Sequence, residues 1–221
     1  MSDSTSDRHQ VGDIVTVIDI GSNSIRLSAY GVDDTTSKSD SASSETVPKR
    51  LFGKKEMAGL ASYVGKDGAL TDKGIARAIA AISQLHALSV GVGATKEFAF
   101  ATASLRNVSN TEDAVEKIQN ATGVPITVLS GEQEALLGYE SLKLVAKPNS
   151  GLMADIGGGS TELAEFDNKQ LEKLTSLSMG SLKLYSENVK GILPTAKEAK
   201  CMNKSMKRLL NSDLIKDWTP S

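Results

Sequence analysis

Two stretches of the chain are built on one plan. VIDIGSNSIRL starts at Val17 and MADIGGGSTEL at Met153. In each, an apolar run closes on an aspartate (Asp19 or Asp155), Ile-Gly follows, and small residues lead into a second apolar run. A chain carrying this signature must form two similar hairpins, each with a carboxylate and a row of small polar residues at its reversal.

The residues of the turn suggest its use. Glycine lets the backbone take positive φ and lets a ligand approach without a Cβ in the way. Successive turn N–H groups converge into a concave anion site, and Ser and Asn add hydrogen-bonding groups. The aspartate would repel a bare phosphate, but suits a hard cation such as Mg2+ lying between carboxylate and phosphate oxygens. Two such loops facing each other would clamp a chain of phosphates. One Asp-x-Gly turn alone is usually only a hairpin; two copies favour the clamp. GGGST is the stronger of the two, because three glycines weaken a strand.

The order of elements repeats as well. Strands are expected at 14–20, 25–32 and 47–52, with the polar tract 33–45 as a flexible loop and residues 1–12 disordered. Thr71 caps a helix whose inner face carries Ile75, Ala78, Ile79, Ile82, Leu85 and either Leu88 or Ser89. A strand at 97–102 follows. Ser109 and Glu112 read as a capping box before a helix carrying Val115 and Ile118 and stopped by Gly123. A strand at 125–129 and a helix at 132–146, with Ala135, Tyr139, Leu142 and Val145 inward, complete the first unit. The pattern then restarts with strands at 152–156, 161–166 and 171–177 and helices at 182–189 and 195–210. A full second copy would contain two more strands with their helices, so this copy is expected to be incomplete.

Bulk properties narrow the class. Aromatics are 4% of 221 residues against 39% hydrophobic, so the core must be mostly aliphatic. A net charge of −2 gives no global attraction to duplex nucleic acid or anionic membrane, although a local basic cluster exists at Lys49, Arg50, Lys54 and Lys55. That cluster would either extend a track for a polyanion or be a solvated surface run. No apolar run approaches the roughly 18 residues of a membrane span, and MSDSTSDRHQ lacks a signal-peptide core, so a cytoplasmic protein is expected. The single cysteine, Cys201, excludes an internal disulfide framework. His9 and His86 form no metal or triad set with it, and Ser160 has no histidine near it in sequence.

Four stretches carry a family resemblance: IDIGSNSIRL (18–27), FATASLRNVSN (100–110), VLSGEQEALLGY (128–139) and ADIGGGSTEL (154–163). Together they resemble the exopolyphosphatase/guanosine pentaphosphate phosphohydrolase (Ppx/GppA) family, within the actin-like and sugar-kinase-like superfamily. The resemblance implies an α/β fold of duplicated ribonuclease-H-like domains with mixed sheets. The first domain would cover 13–148, and a second, truncated one 149–221.

The resemblance also implies roles. Glu134 matches the family's proposed catalytic base, a carboxylate that orients and deprotonates the attacking water; without the resemblance it reads as a solvated carboxylate in a helix's first turn. Glu132 is an alternative base, while Gln133 and Leu136 depart from an acid and an arginine common in the family. Arg106 matches a loop whose guanidinium would fork onto a phosphate, or else hold a helix-end carbonyl. Asp155, then Asp19, would hold Mg2+, with Glu162 assisting or simply occupying a strand. Gly21, Ser22, Asn23, Ser24, Gly157, Gly158, Gly159, Ser160 and Thr161 would form the phosphate loops.

The expected function is Mg2+-dependent release of terminal orthophosphate from inorganic polyphosphate or guanosine pentaphosphate. The alternative is a non-catalytic module that binds those ligands. A kinase of the same superfamily is a weaker third, because the nucleotide-base pocket normally comes from later in the second domain. A homodimer would cover the exposed side of an incomplete second sheet.

Overall fold

The computed structural model describes residues 13–32, 48–211 and 218. The expectations for 1–12, His9 and the tract 33–45 lie outside the described residues.

Strands β1 (Asp13–Ile20), β2 (Ile25–Val32) and β3 (Lys49–Glu56) form an antiparallel meander. The other edge of β1 takes β4 (Lys96–Ala101) in parallel, and β4 takes β5 (Ile126–Val128), giving the mixed order β3-β2-β1-β4-β5. The hairpin register sets Ile18 opposite Leu27 and Ile20 opposite Ile25, so all four point to one face and are buried. Helices α1 (Asp72–Gly91) and α3 (Thr111–Thr122) supply the facing apolar residues, among them Ile82, Leu85 and Ile118. Sealing such side chains from water contributes about 1.5–3 kcal/mol each.

Helix α1 starts as expected, with the Thr71 hydroxyl accepting from the Gly74 amide. The choice at its far end falls on Ser89. Its Oγ meets Thr16 Oγ1 of β1 at 2.6 Å, whereas Leu88 faces solvent. The expected capping box of α3 does not form. Asn110 is the N-cap residue, and its side chain bridges instead to Leu70, accepting from its N–H at 2.8 Å and donating to its carbonyl at 3.0 Å. A tertiary tie has displaced a local one. The reciprocal box appears at α4 (Gly131–Val145), between Ser130 and Gln133. Residues 103–106, just past the strand expected at 97–102, form the single turn α2 (Ala103–Arg106).

The second sheet is the antiparallel meander β6 (Gly151–Ile156), β7 (Thr161–Asp167) and β8 (Gln170–Leu177). Helix α4, placed by sequence at the end of the first domain, packs on this second sheet through Tyr139, with Ala164, Phe166, Leu142 and Met153. Val145, expected inward, is exposed, outside the cluster that Tyr139 and Leu142 form with the sheet. The opposite face packs Leu163, Leu177 and Met179 against α5 (Ser181–Asn188) and α6 (Ala196–Leu210) through Leu184, Met206 and Leu209.

The two leading hairpins superimpose in register. Asp19 lies opposite Arg26 as Asp155 lies opposite Glu162, and Ile20 opposite Ile25 as Ile156 opposite Thr161. They differ at one edge. β1 is covered by β4, while among the described residues no strand pairs with the corresponding edge of β6. Ile20 is accordingly 0% exposed and its counterpart Ile156 is 70% exposed. Among the described residues no helix is long and apolar enough to cross a membrane.

Candidate active site

Both hairpin reversals open onto one cleft of about 320 Å³. Each turn is closed by the same hydrogen bond: Gly21 N–H to Ser24 O at 3.1 Å, and Gly157 N–H to Ser160 O at 3.0 Å. Their carbonyls are tied from behind. Ser22 O and Asn23 O accept from the amides of Ala61 and Gly59, and Gly157 O and Gly158 O accept from the first amides of α5. In a planar trans peptide the N–H points opposite to the preceding C=O. The amides of Asn23, Ser24, Gly158 and Gly159 are therefore turned away from these tethers, as an anion clamp requires.

Close packing fixes the loops against each other and against α5. A Cβ on Gly159 would stand 2.6 Å from Ser22 Oγ. A Cβ on Gly180, just before α5, would stand 2.3 Å from the carbonyl carbon and oxygen of Gly158. Only glycine at 180 lets the helix start touch the loop backbone.

The acidic residues converge from four elements. Asp19 lies near the end of β1, Asp155 near the end of β6, Glu162 in β7 and Glu134 in the first turn of α4; all four line the cleft. Arg106 closes α2 behind them. Its Nη1 donates to Glu134 Oε2 at 2.6 Å and to Leu129 O at 3.1 Å, and its Nη2 reaches Ser176 Oγ at 3.4 Å. Ser176 in turn donates to Glu162 Oε1 at 2.7 Å, and Arg106 Nη2 lies 3.7 Å from the same oxygen. Glu162 is 2% exposed and needs these partners, since a buried unpaired carboxylate is costly.

Burial pushes the Glu134 carboxyl above the usual carboxylate range; the Arg106 hydrogen bond pulls against this, and the charges of Glu162 and Asp19 add to the rise. Asp19 is also raised, chiefly because the cleft walls displace bulk water around it, with Arg26 opposing and Asp155 adding to the rise. Carboxylates crowded this way gain from a divalent cation. Among the described residues no three protein ligands converge closely enough to cage a metal. Mg2+ needs no such cage, since it keeps several waters and takes one or two carboxylates plus phosphate oxygens. Asp155 and Asp19 fit that donor set.

Of the residues singled out from sequence, Asp19, Asp155, Glu134, Glu162, Gly21, Ser22, Asn23, Ser24, Gly157, Gly158, Gly159 and Ser160 line the cleft. Two do not. Arg106 sits behind the lining: its guanidinium holds Glu134, lies near Glu162 and donates to a carbonyl, that of Leu129, the contact expected as the alternative to a phosphate fork. Thr161 is buried, its hydroxyl donating to Met179 O at 2.5 Å, and so anchors the loop from behind. Glu132, the alternative base, is exposed and lies outside the cleft lining. Sequence reasoning missed Arg26, Thr102 and Ala103 in the lining, and Ser176 and Gly180 behind it. The hairpin pairing would have found Arg26, because a four-residue reversal after Ile20 sets it across from Asp19.

Two β-hairpins in matching register that share a polar, carboxylate-rich cleft define a duplicated α/β protein of the actin-like class. The chain belongs to the Ppx/GppA phosphatase family, whose model matches residues 36–216. It is 29% identical over 173 residues to exopolyphosphatase 1 of Mycobacterium tuberculosis, covering 77% of this chain and 47% of that protein. The Aquifex aeolicus PPX-GPPA enzyme is 25% identical and superimposes with a TM-score of 0.67, over 90% of this chain and 63% of that one. An exopolyphosphatase from Cytophaga hutchinsonii, 20% identical, matches with a TM-score of 0.80 over 95% of this chain and 65% of that one. The chain thus spans about half the length of the curated exopolyphosphatase it matches.

Proposed function

We propose that the protein is a Mg2+-dependent hydrolase releasing terminal orthophosphate from inorganic polyphosphate or guanosine pentaphosphate. The observation that carries this is Glu134, held by Arg106 in the wall of a cleft whose two facing sides are the mirrored loops. Family membership and similarity to exopolyphosphatases support the substrate class.

The amides of Asn23, Ser24, Gly158 and Gly159 bind and orient the terminal phosphates. Glu134 takes a proton from a water whose oxygen attacks the terminal phosphorus. The bond from that phosphorus to the bridging oxygen breaks, and the shortened chain leaves with its new negative charge facing the loop amides. The raised pKa of Glu134 makes it a stronger base than a free carboxylate. Asp155 and Asp19 would hold Mg2+, which supplies neutralisation of phosphate charge when bound.

One observation favours the second reading, a binding or regulatory module. Ile156, next to Asp155, is exposed on an edge that its counterpart Ile20 has covered, so the strand carrying Asp155 is less braced. A second copy of the chain docking along β6 would brace it. A cytoplasmic location agrees with substrates of this kind.

Orthophosphate release tests the proposal, with polyphosphate and guanosine pentaphosphate in parallel and Mg2+ against EDTA. Release with Mg2+ that EDTA abolishes supports the hydrolase. Tight binding of either substrate without release moves the protein to the second reading.

A further inference from the structure

The outer face of the first sheet carries a row of cations that starts inside the cleft. Cross-strand partners share a face, and Asp19 pairs with Arg26 as Arg26 pairs with Lys55. Arg26 lines the cleft; Lys55 continues the row onto the edge strand β3. The next row on this face is Ser28 with Gly53, and the one after it Tyr30 with Arg50.

Two irregularities place Arg50 there. A register shift between Ala29 and Tyr30 skips Leu51, bringing Arg50 opposite Tyr30 on the same face as Lys55. Gly53 then lets the Arg50 side chain lie back across the strand: a Cβ on Gly53 would stand 2.1 Å from Arg50 Nη2. Arg50 is thereby folded toward Lys55 and the cleft. Arg26, Arg50 and Lys55 are exposed, and among the described residues none of them closes an ion pair. No residue of β2 or β3 on this face is acidic. Lys54, by contrast, points to the other face and pairs with Glu56 at 3.4 Å.

We propose that Arg26, Lys55 and Arg50 form a track that carries a long polyphosphate chain out of the cleft and along the outer face of β2 and β3. This rests on the polyphosphate reading above and deepens it. Rows on one face lie about 7 Å apart along the strands, so the track serves phosphates beyond those the loops hold. A short substrate ends inside the cleft and never reaches Lys55 or Arg50. The track therefore selects for chain length and leaves recognition of the terminal phosphate to the loops.

The test measures binding of tripolyphosphate and of long-chain polyphosphate with Mg2+, in a Glu134→Gln background to prevent turnover. Arg50→Gln and Lys55→Gln are each expected to weaken the long chain by about threefold and together by about tenfold. Each is expected to lower the salt-dependence slope by roughly 0.7. Tripolyphosphate affinity is expected to stay unchanged, and Lys54→Gln, with the same change in net charge, to leave both ligands unaffected.

Equal losses from Lys54→Gln, equal losses for the short ligand, or no loss for the long one would overturn the track. A single-stranded DNA that binds as tightly and loses as much would also overturn it, showing a general polyanion surface. If neither polyphosphate binds while guanosine pentaphosphate does, the track falls but the hydrolase reading stands on the other substrate. If none of the three binds, the proposed function falls as well.

Discussion

Arg106 stands between Glu134 and Glu162, donating to the first at 2.6 Å and lying 3.7 Å from the second. One guanidinium thus holds the acid of α4 and the buried acid of β7 in a fixed relation. Arg106→Ala leaves Glu162 buried with only Ser176 as partner and is expected to cost about 3 kcal/mol of stability. Urea denaturation measures this. In the Glu162→Gln background the same substitution is expected to cost distinctly less, and equal costs in both backgrounds would contradict the clamp.

With Glu134 as the proposed base, its raised pKa is expected to set the acid side of the rate profile. A base must be deprotonated, so kcat/KM is expected to fall on acidification with a midpoint above the ordinary glutamate value of 4.5. Arg106→Lys removes part of the force that lowers this pKa, so the midpoint is expected to move further up. A profile without an acid limb above the ordinary value would contradict Glu134 as the base.

Asp19 gives a stability signature of the same sign. Its folded pKa is raised, so its protonated form stabilises the fold relative to the ionised form. That contribution is fully present below the ordinary pKa of 3.8 and is lost as pH rises through the raised value. Asp19→Asn is therefore expected to raise Tm near neutral pH, with the gain vanishing at acid pH. Mg2+ is expected to shrink the gain by stabilising the wild-type protein more than the variant. Thermal melts at several pH values, with and without Mg2+, check both.

Gly180 is required by packing rather than by backbone conformation. Gly180→Ala would drive a methyl into the Gly158 peptide, at an expected cost of about 1–3 kcal/mol. Since the displaced backbone is that of the second loop, phosphate affinity is expected to fall well beyond what a stability change alone produces. Binding measured at a temperature where the variant is fully folded separates the two effects.

The open edge of β6 bears on assembly. Leu152 and Ile156 are exposed on the strand whose counterpart is paired, and docking of a second copy predicts concentration-dependent self-association. Leu152→Lys is expected to abolish it. Sedimentation showing a monomer at every concentration would remove the second copy as the occupant.

Features coded locally were legible in the sequence. The Asp-Ile-Gly reversals, the Thr71 cap and the inner face of α1 depend on residues a few positions apart, and their periodicity survives folding. Features decided by distant partners were not. Asn110 left its local cap for Leu70, α4 took the second sheet, and Arg106 turned to Glu134 and Glu162, each through contacts across tens of residues. Ser176 is the clearest example: a serine amid β8 has no sequence signature for linking Arg106 to Glu162.

The most direct single measurement is orthophosphate release from polyphosphate by the wild-type protein and by Glu134→Gln side by side, with polyphosphate affinity measured on both. If Glu134 is the base, the variant binds polyphosphate as the wild type does and its release rate falls by about 10²-fold or more. A variant that still releases orthophosphate at the wild-type rate would show that the carboxylate held by Arg106 does not activate the water.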